Sequence, residues 1–283
     1  MFIAQLHNKL SRPEQDMEDL LTSNVFGVWR YLPVEIAQIG LLRFLKTACR
    51  LDQAEFHGPD KIKTLSVKFW PWIKEGDAKG AEPDVLIEMV SSDQRKWLLL
   101  IESKYLSPKS SSADPLDPHP TDQLAREMQN LRRVASTQKF DEYALIYVTA
   151  HTQIPKNDFS QAISELETKT GQGDSDKFYW TTWRMLPSII SDSINLCGEP
   201  YATLLGDLRE IICRMGLSFF NGMSIRGWTL GECPWIFESP LDPIFLDWQP
   251  ISMTKYVFEG PPIKFSWISS GNRARNMRWR WKS

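Results

Sequence analysis

The clearest patterning in this chain is two apolar runs divided by a polar turn. Val85-Leu-Ile-Glu-Met-Val90 and Trp97-Leu-Leu-Leu-Ile101 flank Ser91-Ser-Asp-Gln-Arg95. Short apolar runs bounded by turn residues read as a β-hairpin. Before it, residues 62 to 73 alternate, with Leu65, Val67 and Phe69 on one side until Pro71 breaks the run. Residues 13 to 26 follow helical spacing through Met17, Leu20, Leu21 and Phe26, with Pro13 suited to the first turn. Pro33 opens a second helix with Ile36, Ile39, Leu42 and Leu45 on its apolar face. Breakers crowd residues 107 to 120, which predicts a mobile loop. A helix capped by Thr121 or Asp122 follows, with Leu124, Met128, Leu131 and Ala135 inward. Tyr143 to Thr149 reads as a buried strand, 158 to 169 as a helix and 178 to 183 as a further strand. Helices are expected at 187 to 196 and 201 to 215, the latter facing inward through Leu204, Leu208, Ile211 and Met215. Residues 217 to 270, rich in Gly, Pro and Trp, read as short strands and turns. The expected order, αα-βββ-α-β-α-β, belongs to the α/β class.

The hairpin carries the candidate chemistry. In an antiparallel pair, residues equidistant from the turn oppose each other. With the turn centred near Asp93, Asp84 lies across from Glu102. Glu102 and Lys104 share a face, because strand side chains alternate. Two carboxylates and an ammonium thus gather at one end of a sheet. Carboxylate oxygens suit Mg²⁺, which binds through one or two of them together with water and phosphate oxygens. A bound divalent ion lowers the pKa of its water, and a neighbouring lysine can position or deprotonate that water or stabilise developing charge.

Pro83-Asp84 followed by Glu102-Ser103-Lys104 resembles the PD-(D/E)XK, or restriction-endonuclease-like, nuclease superfamily. The resemblance implies an αβββαβ core with a central mixed sheet flanked by helices, over residues 1 to 186. Residues 187 to 283 would form a helical and Trp/Pro-rich extension packed on that core and ending in a basic tail. It further implies a metal-dependent nuclease hydrolysing DNA phosphodiesters in bacterial restriction or phage defence, with Asp84 and Glu102 binding Mg²⁺ (Mn²⁺ as substitute) and Lys104 aiding the nucleophilic water. Many such nucleases add an acid from a helix before the strands. Glu18 fills that place as a further catalytic and metal-binding candidate, with Glu14 and Asp19 as rivals. Many also carry a glutamine on the helix after the Glu-x-Lys motif, here Gln123. The tyrosine that often follows four residues later is replaced by Glu127. Arg126, one turn from Gln123, is a phosphate-contact candidate. So are Arg273, Arg275, Arg278 and Arg280 in the Arg/Trp tail, where Trp279 and Trp281 suit base stacking.

Composition narrows the picture further. The 283 residues carry a net charge of −2, so any nucleic-acid contact must be a local basic patch. Four scattered cysteines without a Cys-x-x-Cys pair argue against zinc and redox dithiol sites, and predict buried free thiols. No signal-peptide pattern or membrane-length apolar run is visible, so a cytoplasmic setting and no membrane association are expected. No Gly-x-x-x-x-Gly-Lys-Ser/Thr motif occurs, so ATP-driven activity or sensing would fall to a protein partner. DNA is the expected substrate, RNA stays open, and a homodimer is a further option the resemblance implies. The alternative is a catalytically silent nucleic-acid-binding or assembly subunit retaining the same fold.

Overall fold

The computed structural model describes residues 13–105 and 107–219, which fall in the compact unit Met1–Phe220. The tail arginines Arg273, Arg275, Arg278 and Arg280, Trp279, Trp281 and Cys233 lie outside the described residues, as does the proposed strand-and-turn region beyond 219.

Helices α1 (Pro13–Tyr31) and α2 (Val34–Lys46) precede strands β1 (Ile62–Phe69), β2 (Val85–Ser91) and β3 (Lys96–Lys104). Helix α3 (Gln123–Thr137), strand β4 (Glu142–Thr149), helix α4 (Lys156–Thr170) and strand β5 (Phe178–Thr182) follow. Helices α5 (Leu186–Ile194) and α6 (Tyr201–Arg214) close the described chain. The five strands form one mixed sheet in sequence order. β1, β2 and β3 pair antiparallel, whereas β3, β4 and β5 pair parallel through the α3 and α4 crossovers.

Both faces of the sheet are covered, which explains why β3 and β4 are nearly continuous apolar runs rather than alternating ones. Leu99, Ile101, Ile146 and Val148 pack with α1, α2, α5 and α6. Leu98, Leu100, Leu145 and Tyr147 meet Leu124, Met128 and Leu131 of α3 and Phe159 and Leu166 of α4. Full burial of each such side chain contributes about 1.5–3 kcal/mol. β3 is therefore clamped between two cores along most of its length, and the residues at its end inherit that rigidity.

Helix packing departs from the expected faces in two places. The buried face of α2 centres on Ala37, Gly40, Leu41, Phe44 and Leu45, leaving Ile36 and Leu42 half-buried. Gly40 explains the rotation: a Cβ there would lie 2.9 Å from Trp29 Nε1, so the two helices meet at the glycine. On α6 the buried residues are Leu205, Leu208 and Ile212, and Leu204 and Ile211 face outward. Leu208 faces inward as expected, whereas Leu205 and Ile212 take the places expected of Leu204 and Ile211.

The segment 107–120, expected as a mobile loop, and the Thr121-Asp122 cap that follows it are held at several points. Thr121 N and Asp122 N donate to Glu165 at 3.1 and 2.7 Å, and Ser111 Oγ donates to Thr121 O at 2.7 Å. Lys169 Nζ donates to Asp114 O at 2.6 Å, and Lys79 pairs with Asp117 at 2.5 Å. Side chains from α4 and from the loop before β2 tie it down. The free thiols Cys49, Cys197 and Cys213 are half-buried rather than fully buried. Among the described residues, no helix is long and apolar enough to cross a membrane.

Candidate active site

The hairpin turn fixes the site. Gln94 takes a left-handed φ of 69°, while Ser91 N donates to Arg95 O and Gln94 N to Ser91 O, both at 3.0 Å. The pairs Val90↔Lys96 and Val85↔Ile101 follow, centring the register on Asp93 as expected. One residue further, Asp84 stands across from Glu102, just outside the β2 ladder. Trp70 N holds the Asp84 carbonyl at 3.0 Å.

Asp84 is anchored by the middle residue of the Glu-x-Lys motif. Its Oδ2 accepts from Ser103 N at 2.9 Å and from Ser103 Oγ at 2.7 Å. The Ser103 hydroxyl has one proton, which goes to Asp84, so the 2.6 Å contact with Thr22 Oγ1 must be donated by Thr22. Thr22 and Ser103 thereby join α1 to the metal-binding candidate Asp84.

Glu102 lies at the centre and is only 2% exposed. Its Oε1 accepts from Lys104 Nζ at 2.6 Å and Gln123 Nε2 at 2.5 Å. Lys104 Nζ also reaches Glu18 Oε1 at 3.2 Å. The other Glu18 oxygen accepts from Tyr105 N at 2.9 Å and Ser107 Oγ at 2.5 Å. Glu18 is thus brought to Lys104, with both oxygens engaged. Gln123 begins α3 behind the N-cap Asp122, whose carboxylate accepts from Leu124 N and Ala125 N at 3.0 and 3.3 Å. Lys109 forms a buried ion pair with Asp122, and Ser110 N donates to Gln123 Oε1 at 2.8 Å. The tied-down segment therefore fixes the glutamine amide with its nitrogen towards Glu102.

Glu127 joins this group, although sequence reasoning noted it only as the replacement for a tyrosine. It is 1% exposed, its Oε1 accepts from Gln123 Nε2 at 3.2 Å, and its Oε2 is buried without a hydrogen-bond partner among the described residues. The available signal was its spacing, four residues after Gln123 and on the same helix face. For Ser103 the sequence offered only its backbone carbonyl, with that of Ile101, as a possible further metal ligand, whereas its N–H and hydroxyl are what anchor Asp84. Arg126 is half-buried, with its Nε enclosed and unpartnered among the described residues.

Four carboxyl groups surround one ammonium, and the electrostatics follow. Burial, then the charge of Asp84, raises the Glu102 carboxyl to about 7, against the opposing pull of Lys104. Burial, then Glu102, pushes Glu127 well above the ordinary carboxyl range. For Lys104, burial favours the neutral amine, but Glu102, Asp84 and Glu18 outweigh it and hold the ammonium well above its usual value.

Among the described residues, no three His, Cys, Asp or Glu side chains form a ready-made metal-ligand group. The donor chemistry fits a more open arrangement. Among the described residues, the hydrogen bonds to Asp84 fall on Oδ2 and those to Glu102 on Oε1, so the second oxygen of each is an available hard donor. Mg²⁺ commonly takes one or two carboxylates and completes its shell with water and substrate oxygens. A cation there would also offset the repulsion that raises Glu102.

No protein-family model, curated protein or solved structure matches this chain. The functional reading therefore rests on the residues and their geometry.

Proposed function

We propose that this protein is a Mg²⁺-dependent nuclease that hydrolyses DNA phosphodiester bonds, built on a restriction-endonuclease-like core. The observation that carries this reading is the convergence of Asp84, Glu102 and Lys104 at the end of the β2–β3 hairpin, with Gln123 holding Glu102 and Glu18 holding Lys104.

Asp84 and Glu102 would hold the ion, which when bound activates a water and neutralises phosphate charge. Ser103 keeps Asp84 turned to the sheet end. Gln123 orients Glu102 and limits its rotation. Lys104 remains protonated across the neutral range, which supports a donor role: it stabilises negative charge developing on the phosphate rather than removing the proton from water. Glu18 aims that ammonium. Restriction or phage defence in the cytoplasm, alone or with a sensing partner, is the setting we infer for such an activity.

One observation favours a second reading, a silent subunit retaining the fold. Lys104 already satisfies two carboxylates inside the protein, at 2.6 and 3.2 Å, a self-contained ion-pair network that needs no substrate.

Incubation with plasmid, linear duplex, single-stranded DNA and RNA in Mg²⁺, Mn²⁺ or chelator separates the two. Cleavage of DNA that requires the divalent ion and disappears in Lys104→Ala supports the nuclease. Cleavage that survives both chelator and that substitution contradicts the assigned chemistry. Binding without cleavage in every condition supports the silent subunit.

A further inference from the structure

Beside the carboxylate cluster the chain presents an aromatic surface that none of the roles above uses. β1 ends at Phe69, and Trp70 takes a left-handed φ of 46°, unusual for a bulky residue, which turns the chain sharply. Ile73 then pairs with Ala81 through two backbone hydrogen bonds of 2.8 and 2.9 Å. Ile73 is buried, so the extended chain directs its neighbours Trp72 and Lys74 to the opposite, outer side. Trp72 is 67% exposed.

The indole is exposed but not loose. A Cβ added at Gly80 would sit 2.8 Å from Cε2 and 2.9 Å from Cη2 of the Trp72 ring. One side of the ring therefore rests on a glycine backbone that no other residue could offer without displacing it. An aromatic plane backed on one side, with an exposed cation two residues away, has the two features that single-stranded nucleic-acid sites combine: a stacking surface and a positive charge for the backbone.

Its position relates it to the candidate active site. Trp70 N donates to Asp84 O at 3.0 Å, and Trp72 is two residues beyond, a reach of roughly 7 Å along the chain. The platform and Asp84 therefore belong to adjoining backbone segments at the same end of the sheet.

We propose that Trp72, supported by Gly80, is a stacking platform for an unpaired nucleobase flanking the scissile phosphate, with Lys74 contacting the adjoining backbone. The substrate class is then single-stranded or locally unpaired nucleic acid. This inference rests on the nuclease reading for the phosphate to be cut, but base stacking itself is measurable without cleavage.

The test uses the full chain in chelator and fluorescence anisotropy with a labelled oligothymidylate, compared with the same oligomer carrying abasic residues. Trp72→Ala is expected to weaken binding to the intact oligomer roughly fivefold or more, Trp72→Phe to retain most of it, and the abasic oligomer to bind wild type and Trp72→Ala alike. Three outcomes overturn the platform: unchanged binding in Trp72→Ala, an equal loss on the abasic oligomer, or a lowered melting temperature with no base-dependent loss, which assigns the indole to packing. A concentration-dependent dimer of wild type that Trp72→Ala abolishes, without base-dependent binding, assigns it to a second copy and also overturns it. If base-dependent binding is found but wild type never cleaves in Mg²⁺, the platform stands and the nuclease reading falls. Mg²⁺-dependent cleavage with unchanged Trp72→Ala binding gives the reverse.

Discussion

Gln123 Nε2 lies 2.5 Å from Glu102 Oε1, so the first residue of α3 holds the carboxylate at the end of β3. The same nitrogen reaches Glu127 Oε1 at 3.2 Å. One amide thus sets the orientation of two buried acids. Gln123→Ala removes a donor from Glu102 and is expected to cost about 1–3 kcal/mol of stability. On the proposed nuclease reading, DNA cleavage should fall about tenfold to a hundredfold, as for other residues that orient a metal ligand. Urea unfolding and single-turnover cleavage check the two effects.

Lys104 is the ammonium that offsets Glu102 and Glu18. Removing it strands buried charge, so Lys104→Ala should destabilise the fold by about 3–5 kcal/mol. In the double variant Lys104→Ala, Glu102→Gln, one stranded charge is gone and part of that stability should return. A double-mutant cycle in urea measures the coupling, and additive losses would show that the pair does not interact.

The Glu102 carboxyl gives a stability–pH signature. Its folded value, about 7, lies above the ordinary unfolded value of 4.5. Below the unfolded value both states hold the proton and no penalty arises. As pH rises from about 4.5 to about 7 the unfolded chain releases its proton while the folded one keeps it, so stability falls by about 3 kcal/mol from this group. Denaturant titrations across that window should show a steeper decline for wild type than for Glu102→Gln.

Glu127 predicts a substitution that improves stability. Its carboxyl is held well above the ordinary range by burial and by Glu102, and one oxygen has no partner among the described residues. Glu127→Gln keeps the shape and removes the ionisable group. The variant should melt higher than wild type at pH 8, with a smaller difference near pH 4, below the ordinary unfolded value of 4.5, where the carboxyl is mostly protonated in both states. A lower melting temperature at both pH values would show that the carboxyl has a hydrogen-bonding role an amide cannot reproduce.

Much of the site was legible because strands have a period of two. Given a turn centred on Asp93, the opposition of Asp84 and Glu102 and the shared face of Glu102 and Lys104 follow from register alone, and Val85↔Ile101 agrees. The order of helices and strands was legible from other signals, namely continuous apolar runs such as Leu98 to Ile101 and Tyr143 to Thr149 and helical spacing such as Leu124, Met128 and Leu131. What local pattern did not reveal depends on residues distant in sequence. The 107–120 segment has the composition of a mobile loop, yet Lys169 and Lys79 hold it, and Glu165 holds the Thr121-Asp122 cap that follows. Gly40 rotates α2 because Trp29 lies against it, a contact between two helices that neither helix encodes alone. Glu127 is an ordinary helix glutamate by sequence, and only the packing of α3 against β3 encloses it beside Gln123.

Magnesium calorimetry on the substrate-free protein tests the two-carboxylate site most directly. Titrations near pH 7 in buffers of different ionisation enthalpy should show binding to wild type with proton release, because the cation displaces the proton that burial and Asp84 keep on Glu102. Asp84→Asn and Glu102→Gln should each abolish that binding, and circular dichroism would verify that both variants remain folded. Binding that persists unchanged in both folded variants, or no magnesium binding to wild type at any pH from 6 to 8, would contradict the assignment of Asp84 and Glu102 as the metal-holding pair.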